Sequence, residues 1–230
     1  MVKSGFLRAG DIEVVCRDGS KGLIPVGVYG VLVNDYYDGY VTNYDCREGI
    51  ATYVNNVHLP IEKIRESNGF VRLAVENGWA YDLTNKYWTK NNVRFRHMRW
   101  SILEVFDFGS FEGIDVGNRV VIDAGAFVGD SAIYFALKGA KRIIAVEPHP
   151  GAYAEMLDNI RLNNLEDVII PINAGLAGKP GKVCIEDVGV EATGATYHRP
   201  GDCPNAVPVV TLSELISRFG INVDDAVLKM

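Results

Sequence analysis

The chain has 230 residues, 48% hydrophobic and 23% charged, the balance of a globular protein able to bury one large core or two small ones. Its net charge of −6 and pI of about 5.3 speak against a broad phosphate-binding surface, and no apolar run approaches the roughly 18 residues of a membrane span. Residues 1–10 carry Lys3 and Arg8 without an apolar stretch, so no secretory signal is expected; the chain is read as cytoplasmic, with neither nucleic acid nor membrane as a partner.

From residue 12 to about 90 the chain consists of short runs rich in Val, Ile and Tyr. They are punctuated by Asp18-Gly19, Asp38-Gly39, Glu48-Gly49, Asn68-Gly69 and Asn77-Gly78. Such dipeptides favour positive φ and tight hairpins. Strands are therefore expected over 12–17, 27–33, 50–54, 70–76 and 79–82, with Asn77-Gly78 as the clearest hairpin turn and one helix over 60–66. Residues 1–92 are read as an antiparallel β-rich subdomain. Its aromatics include Tyr36, Tyr37, Tyr40, Tyr44, Tyr53, Trp79, Tyr81, Tyr87 and Trp88. They suit a sugar- or base-stacking surface, but core and sheet packing is the favoured reading.

Residues 93–118 are read as a linking helix and entry segment. Phe95, Met98, Ile102 and Val105 make an apolar stripe at helical spacing over 93–106, and Arg94, Arg96, His97 and Arg99 are taken as its solvated face.

From Arg119 the pattern alternates. Strands are expected over 120–123, 142–146 and 168–172, with helices over 131–138 and 152–162 and Asn163-Asn164 as a helix end. Such alternation implies a parallel sheet covered by helices, over 119–230. Residues 183–210 are irregular, with room for a hairpin insertion. Thr211-Leu212-Ser213-Glu214 matches a capping box opening a helix that ends at Gly220, and 226–230 begin a fourth strand. Cys16, Cys46, Cys184 and Cys203 form no CxxC motif and are expected to be reduced, although a Cys16–Cys46 disulfide would suit a hyperthermophile. The scattered His and Cys residues predict no metal site.

The chemistry is carried by Val120-Val121-Ile122-Asp123-Ala124-Gly125-Ala126-Phe127-Val128-Gly129-Asp130-Ser131. A buried strand runs into a turn with two glycines and then into a helix. The glycines allow close approach of a ligand, and the helix start offers N–H groups to a carboxylate. Glu147, at the end of the second strand, suits a ribose diol, because a carboxylate accepts two hydroxyl protons. Nicotinamide dinucleotides call for G-x-G-x-x-G. Here the spacing is Gly125-x-x-x-Gly129, and Asp123 would repel a pyrophosphate. A carboxylate there favours a ligand bearing an ammonium and a sulfonium, as S-adenosylmethionine does.

These motifs, with Tyr134-Phe135-Ala136-Leu137-Lys138-Gly139-Ala140-Lys141-Arg142, Val146-Glu147-Pro148-His149-Pro150, Asn159-Ile160-Arg161-Leu162-Asn163 and the upstream Ile102-Leu103-Glu104-Val105-Phe106 and Gly109-Ser110-Phe111, resemble the FkbM-type methyltransferases. The resemblance implies an α/β, Rossmann-like class I methyltransferase core and S-adenosyl-L-methionine as cofactor. It implies that Gly125, Ala126 and Gly129 line the methionine part, with Phe127 also among the cofactor-binding residues. Asp123 and Asp130 would lie beside the amino group or brace the loop, Glu147 would hold the ribose, and Asn173 and Ala174 would approach the adenine. The activity implied is O-methylation of a hydroxyl on a sugar or other small-molecule or glycan acceptor. In that family the fourth strand leads into Asp-x-Glu-Gly, whereas this sequence stops at Met230. The core is therefore expected to be partial, its edge strand open to a second copy in a homo-oligomer. His149 is the candidate base, because it follows Glu147 at the ligand end of the sheet; His58, His97 and His198 are read as structural. A non-catalytic cofactor-binding module and an NAD-dependent oxidoreductase are the rival readings.

Overall fold

The computed structural model describes residues 10–67, 69–185, 198–201 and 203–230. It divides into two compact units, one ending at Trp100 and one running from Ser101 to Met230.

The first unit opens with a hairpin of β1 (Asp11–Val15) and β2 (Lys21–Pro25), turned at Asp18-Gly19, followed by helix α1 (Val26–Tyr37). An antiparallel meander of β3 (Val41–Asp45), β4 (Ile50–Tyr53) and β5 (Val57–Pro60) follows, then the short helices α2 (Ile61–Glu66) and α3 (Val71–Glu76). A second meander, β6 (Ala80–Asp82), β7 (Tyr87–Lys90) and β8 (Val93–Phe95), completes it.

Three expectations fail in this unit, each for a local reason. Residues 27–33 are helical: Val28, Leu32 and Asp35 are buried at helical spacing, and Asp38-Gly39 ends α1 instead of turning a hairpin. Residues 71–76 are also helical, burying Val71, Ala74 and Val75. Asn77-Gly78 closes that helix: Gly78 takes φ 84°, and the Trp79 N–H donates to Ala74 O, the six-to-one bond of a Schellman end. A dipeptide that needs left-handed backbone fits a helix terminus as well as a hairpin. Residues 93–95 form a strand, because Asn91 and Asn92, at φ 49° and 69°, turn β7 back on β8 with Trp88 opposite Phe95. The basic cluster is accordingly not a helix face. Arg96 donates to the carbonyls of Asn85 and Lys86, His97 pairs with Glu66, and Arg99 is buried.

The cysteines are paired rather than reduced. Cys16 bonds Cys46, tying the β1–β2 hairpin to the end of β3, and Cys184 bonds Cys203. Sequence separations of 30 and 19 carry no short-range signature, so only the fold brings each pair to a Cα–Cα distance of 6.0 Å.

The second unit begins within α4 (Trp100–Phe106), whose Ile102, Leu103 and Val105 are buried. Then come β9 (Val120–Ala124), α5 (Asp130–Leu137), β10 (Arg142–Val146), α6 (Pro150–Leu162) and β11 (Ile169–Ile172). A smaller sheet of β12 (Gly175–Leu176), β13 (Gly181–Ile185), β14 (His198–Pro200) and β15 (Ala206–Val210) follows; residues 186–197 of the expected insertion lie outside the described residues. Helix α7 (Leu212–Phe219) has the capping box the sequence predicts, Thr211 with Glu214, and β16 (Ala226–Lys229) ends the chain.

The central sheet is parallel, in the order β11-β10-β9-β16. Its strands read as near-continuous β-branched runs because both faces are covered. Ile122, Ile144 and Val146 pack with Leu215 and Ile221 in one buried cluster. This is the Rossmann-like core the sequence predicts. Strand order reverses between β9 and β16, since β10 and β11 continue to one side of β9 and β16 lies on the other. In such sheets ligands sit at the carboxyl ends of the strands flanking that reversal. Among the described residues β16 pairs with β9 alone, so its outer edge is open.

Candidate functional site

The loop from β9 to α5 is built on left-handed backbone: Gly125, Phe127 and Gly129 have φ of 72°, 50° and 87°. A non-glycine residue held there stores strain of the kind found at ligand clamps. The loop is fastened from three directions. Gly125 and Ala126 donate their N–H groups to Val146 O, Phe127 N donates to Glu147 Oε2 at 2.8 Å, and Asn159 Nδ2 donates to Val128 O at 2.9 Å. Gly129 leaves room for α6: a Cβ there would lie 3.0 Å from Met156 Cγ. Gly129→Ala is therefore expected to cost about 1–3 kcal/mol of stability, from left-handed strain plus overpacking, as a fall in the thermal midpoint. An unchanged midpoint would contradict this packing.

Asp123 is fully buried at the end of β9. Its Oδ2 accepts from Ser131 Oγ at 2.6 Å. Lys229, its register partner on β16, brings Nζ to 2.9 Å from Oδ1 and donates to Gly125 O at 2.8 Å. Oδ1 is thus paired with the Lys229 ammonium inside the chain, a contact that shows the position suits an ammonium group. A small cavity of about 200 Å³ lies here, with Gly125, Phe127, Asp130 and Lys229 among its lining residues. It sits where the strand order reverses.

Asp130, buried at the first turn of α5, has its carboxyl pushed up to about 6 by burial and then by the charge of Asp123. The folded state thus holds this proton more tightly than the unfolded chain, whose carboxyl titrates near 3.8. Ionising it costs stability that is retained below the unfolded value and lost as pH rises through about 6. Asp130→Asn is expected to stabilise the protein by about 2 kcal/mol near pH 8 and by much less near pH 4. Urea denaturation at the two pH values checks this; equal effects would contradict it.

Glu147 is buried, and burial raises its pKa even though both oxygens accept backbone N–H groups, Oε2 from Phe127 and Oε1 from His149. It braces the loop and stands at the carboxyl end of β10. Asn173 spends its amide N–H groups on the carbonyls of Glu147 and Pro148, and Ala174 is buried behind them. His149 is buried as the N-cap of α6, with Nδ1 accepting from Ala152 N at 3.2 Å. With Nδ1 an acceptor, the neutral ring carries its proton on Nε2.

Asp123, Gly125, Ala126, Phe127, Gly129, Asp130 and Glu147 thus gather around one loop. The sequence reading assigned no role to Lys229, Ser131 or Asn159. Lys229 was detectable as a lone cation ending the apolar run 226–228, once β16 is placed beside β9. No group of three or more potential metal ligands occurs among the described residues, nor does any helix long and apolar enough to cross a membrane.

Three solved structures show what the chain is similar to. It is 29% identical to Methanocaldococcus jannaschii Trm5 in complex with adenosine, over 38% of this chain and 24% of that one, with a TM-score of 0.26. It is 11% identical to the methyltransferase FkbM from Methylobacillus flagellatus, over 56% and 29%, with a TM-score of 0.36. It is 20% identical to a SAM-dependent methyltransferase from Agrobacterium tumefaciens, over 38% and 32%, with a TM-score of 0.30. The chain thus spans about a third or less of each of these proteins. No curated protein sequence matches. The TRM5/TYW2 methyltransferase domain matches residues 74–188, half of the 230 residues, and the chain belongs to that family, whose cofactor is S-adenosylmethionine.

Proposed function

We propose that the second unit holds S-adenosylmethionine at the carboxyl ends of β9 and β10 and directs its methyl group to a hydroxyl on a sugar or other small-molecule acceptor. The observation that carries this reading is the left-handed glycine loop at the reversal of strand order, opening from the buried strand-end carboxylate of Asp123. Asp123 takes the ammonium end, and Gly125, Ala126, Phe127 and Gly129 give close backbone approach. Glu147 presents its remaining lone pairs to the ribose, with Asn173 and Ala174 bordering the adenine. The cofactor supplies an electrophilic methyl on a sulfonium, and the protein's part is chiefly to hold the acceptor oxygen in line with that bond. His149, the base offered by the sequence, is assigned here to capping α6, because its Nδ1 lone pair is already used.

The acidic balance of the chain favours a neutral acceptor over a nucleic acid. Incubation with methyl-labelled S-adenosylmethionine and panels of glycosides and RNA tests this. Label on hydroxyl oxygens supports the reading; label on RNA replaces the acceptor; binding without transfer leaves a cofactor module; and NAD in place of S-adenosylhomocysteine in the purified protein overturns it. The disulfides fit an oxidising compartment or the disulfide-tolerant cytoplasm of a hyperthermophile. The cytoplasm is proposed, because the methyl donor is an intracellular metabolite.

A further inference from the structure

Helix α1 presents two faces. Val28 and Asp35 face the interior of the first unit, whereas Tyr29, Val33, Tyr36 and Tyr37, with the buried Leu32 among them, line a cavity of about 710 Å³. The opposite wall is the end of β1 and the strand β3. Tyr36 is 54% exposed and Tyr37 83% exposed, and Tyr29 is also exposed. Large aromatic faces left in water along one stripe are costly unless something covers them. The cavity falls within the usual range for small-molecule sites. Its far wall is braced by the Cys16–Cys46 disulfide, which ties the β1–β2 hairpin to the end of β3.

The polar groups on this wall select among ligands. Asp18 and Asp45 line the cavity against a single cation among its lining residues, Arg17. Hydrogen bonds from Ser20 hold Asp18 ionised, and Asp45 Oδ1 accepts from Arg47 N and Glu48 N. Arg47 pairs with Asp18 Oδ2 at 3.0 Å, so with Arg17 the wall is close to neutral: it offers carboxylate oxygens to hydroxyl protons and has no surplus of cations to draw a phosphate. A pyranose ring offers both complementary features: a face of C–H groups that packs on the negative face of a tyrosine ring, and hydroxyls for the carboxylates. We propose that this groove is a binding site for a neutral carbohydrate, with Tyr29, Tyr36 and Tyr37 as the stacking platform and Asp18 and Asp45 as hydroxyl acceptors. It lies wholly within the first unit and does not depend on the methyl-transfer reading.

The test is saturation-transfer NMR on the whole chain with methyl β-glucopyranoside and methyl α-mannopyranoside as probes and adenosine monophosphate as the charged aromatic control. At least one glycoside is expected to bind with a dissociation constant on the order of 1 mM. The Tyr36→Ala, Tyr37→Ala double variant, altered only at exposed positions, is expected to weaken binding by about tenfold or more with its circular dichroism unchanged. The corresponding Phe variant, which keeps the rings, is expected to stay within about threefold of the original. Binding of neither glycoside, preference for the nucleotide, or glycoside binding unaffected by loss of the tyrosine rings would each overturn the proposal.

Discussion

Replacing Asp123 with alanine is expected to weaken S-adenosylmethionine binding by about 100-fold or more and to lower the unfolding free energy by about 3 kcal/mol. Two partners are stranded at once. Ser131 Oγ loses the oxygen 2.6 Å away, and the Lys229 ammonium, largely buried, loses the charge at 2.9 Å. Removing one member of a buried pair leaves an uncompensated charge, which is why the cost exceeds that of a surface ion pair. Asp123→Asn separates the two effects. It retains an acceptor for Ser131, so it is expected to recover part of the stability while still binding the cofactor weakly. Calorimetric titration beside urea denaturation checks both; affinity unchanged in Asp123→Ala would remove this residue from the site.

The double substitution of Cys16 and Cys46 by alanine is expected to cost about 3.5 kcal/mol, the chain-entropy value for a loop of roughly 30 residues. The bond closes the hairpin of β1 and β2 onto the end of β3, in a unit built of short strands, the twelve-residue α1 and two six-residue helices. A crosslink closing a loop of about 30 residues restricts the unfolded ensemble by that amount. Urea denaturation with and without reductant checks the value. Identical midpoints for the original and the double variant under oxidising conditions would contradict the pairing.

The second unit was the more legible of the two from sequence. Val120 to Ala124, Arg142 to Val146 and the capping box at Thr211 each combine a local propensity with a boundary signal, and a parallel sheet buried on both faces leaves little ambiguity of period. In the first unit the same dipeptides mislead. Asp38-Gly39 and Asn77-Gly78 satisfy left-handed backbone, which ends helices as readily as it turns hairpins, and the β-branched content of 27–33 and 70–76 argued for strand where buried helical faces prevail. The tyrosines divided in a way no sequence pattern displayed: Tyr53, Trp79 and Trp88 are core, as the packing reading had it, while Tyr36 and Tyr37 stand in solvent. At the site the glycine spacing and both acids were readable because they cluster within one loop and one strand end. Lys229 lies 106 positions from Asp123, and only the placement of β16 beside β9 makes them neighbours.

Co-crystallisation with S-adenosylhomocysteine bears most directly on the placement of the cofactor. The adenosyl ligand is expected with its amino group at Asp123 Oδ1, its chain along Gly125 to Gly129 and its ribose at Glu147. A ligand seated elsewhere in the chain, or none taken up while the loop keeps its left-handed backbone, would contradict the assignment.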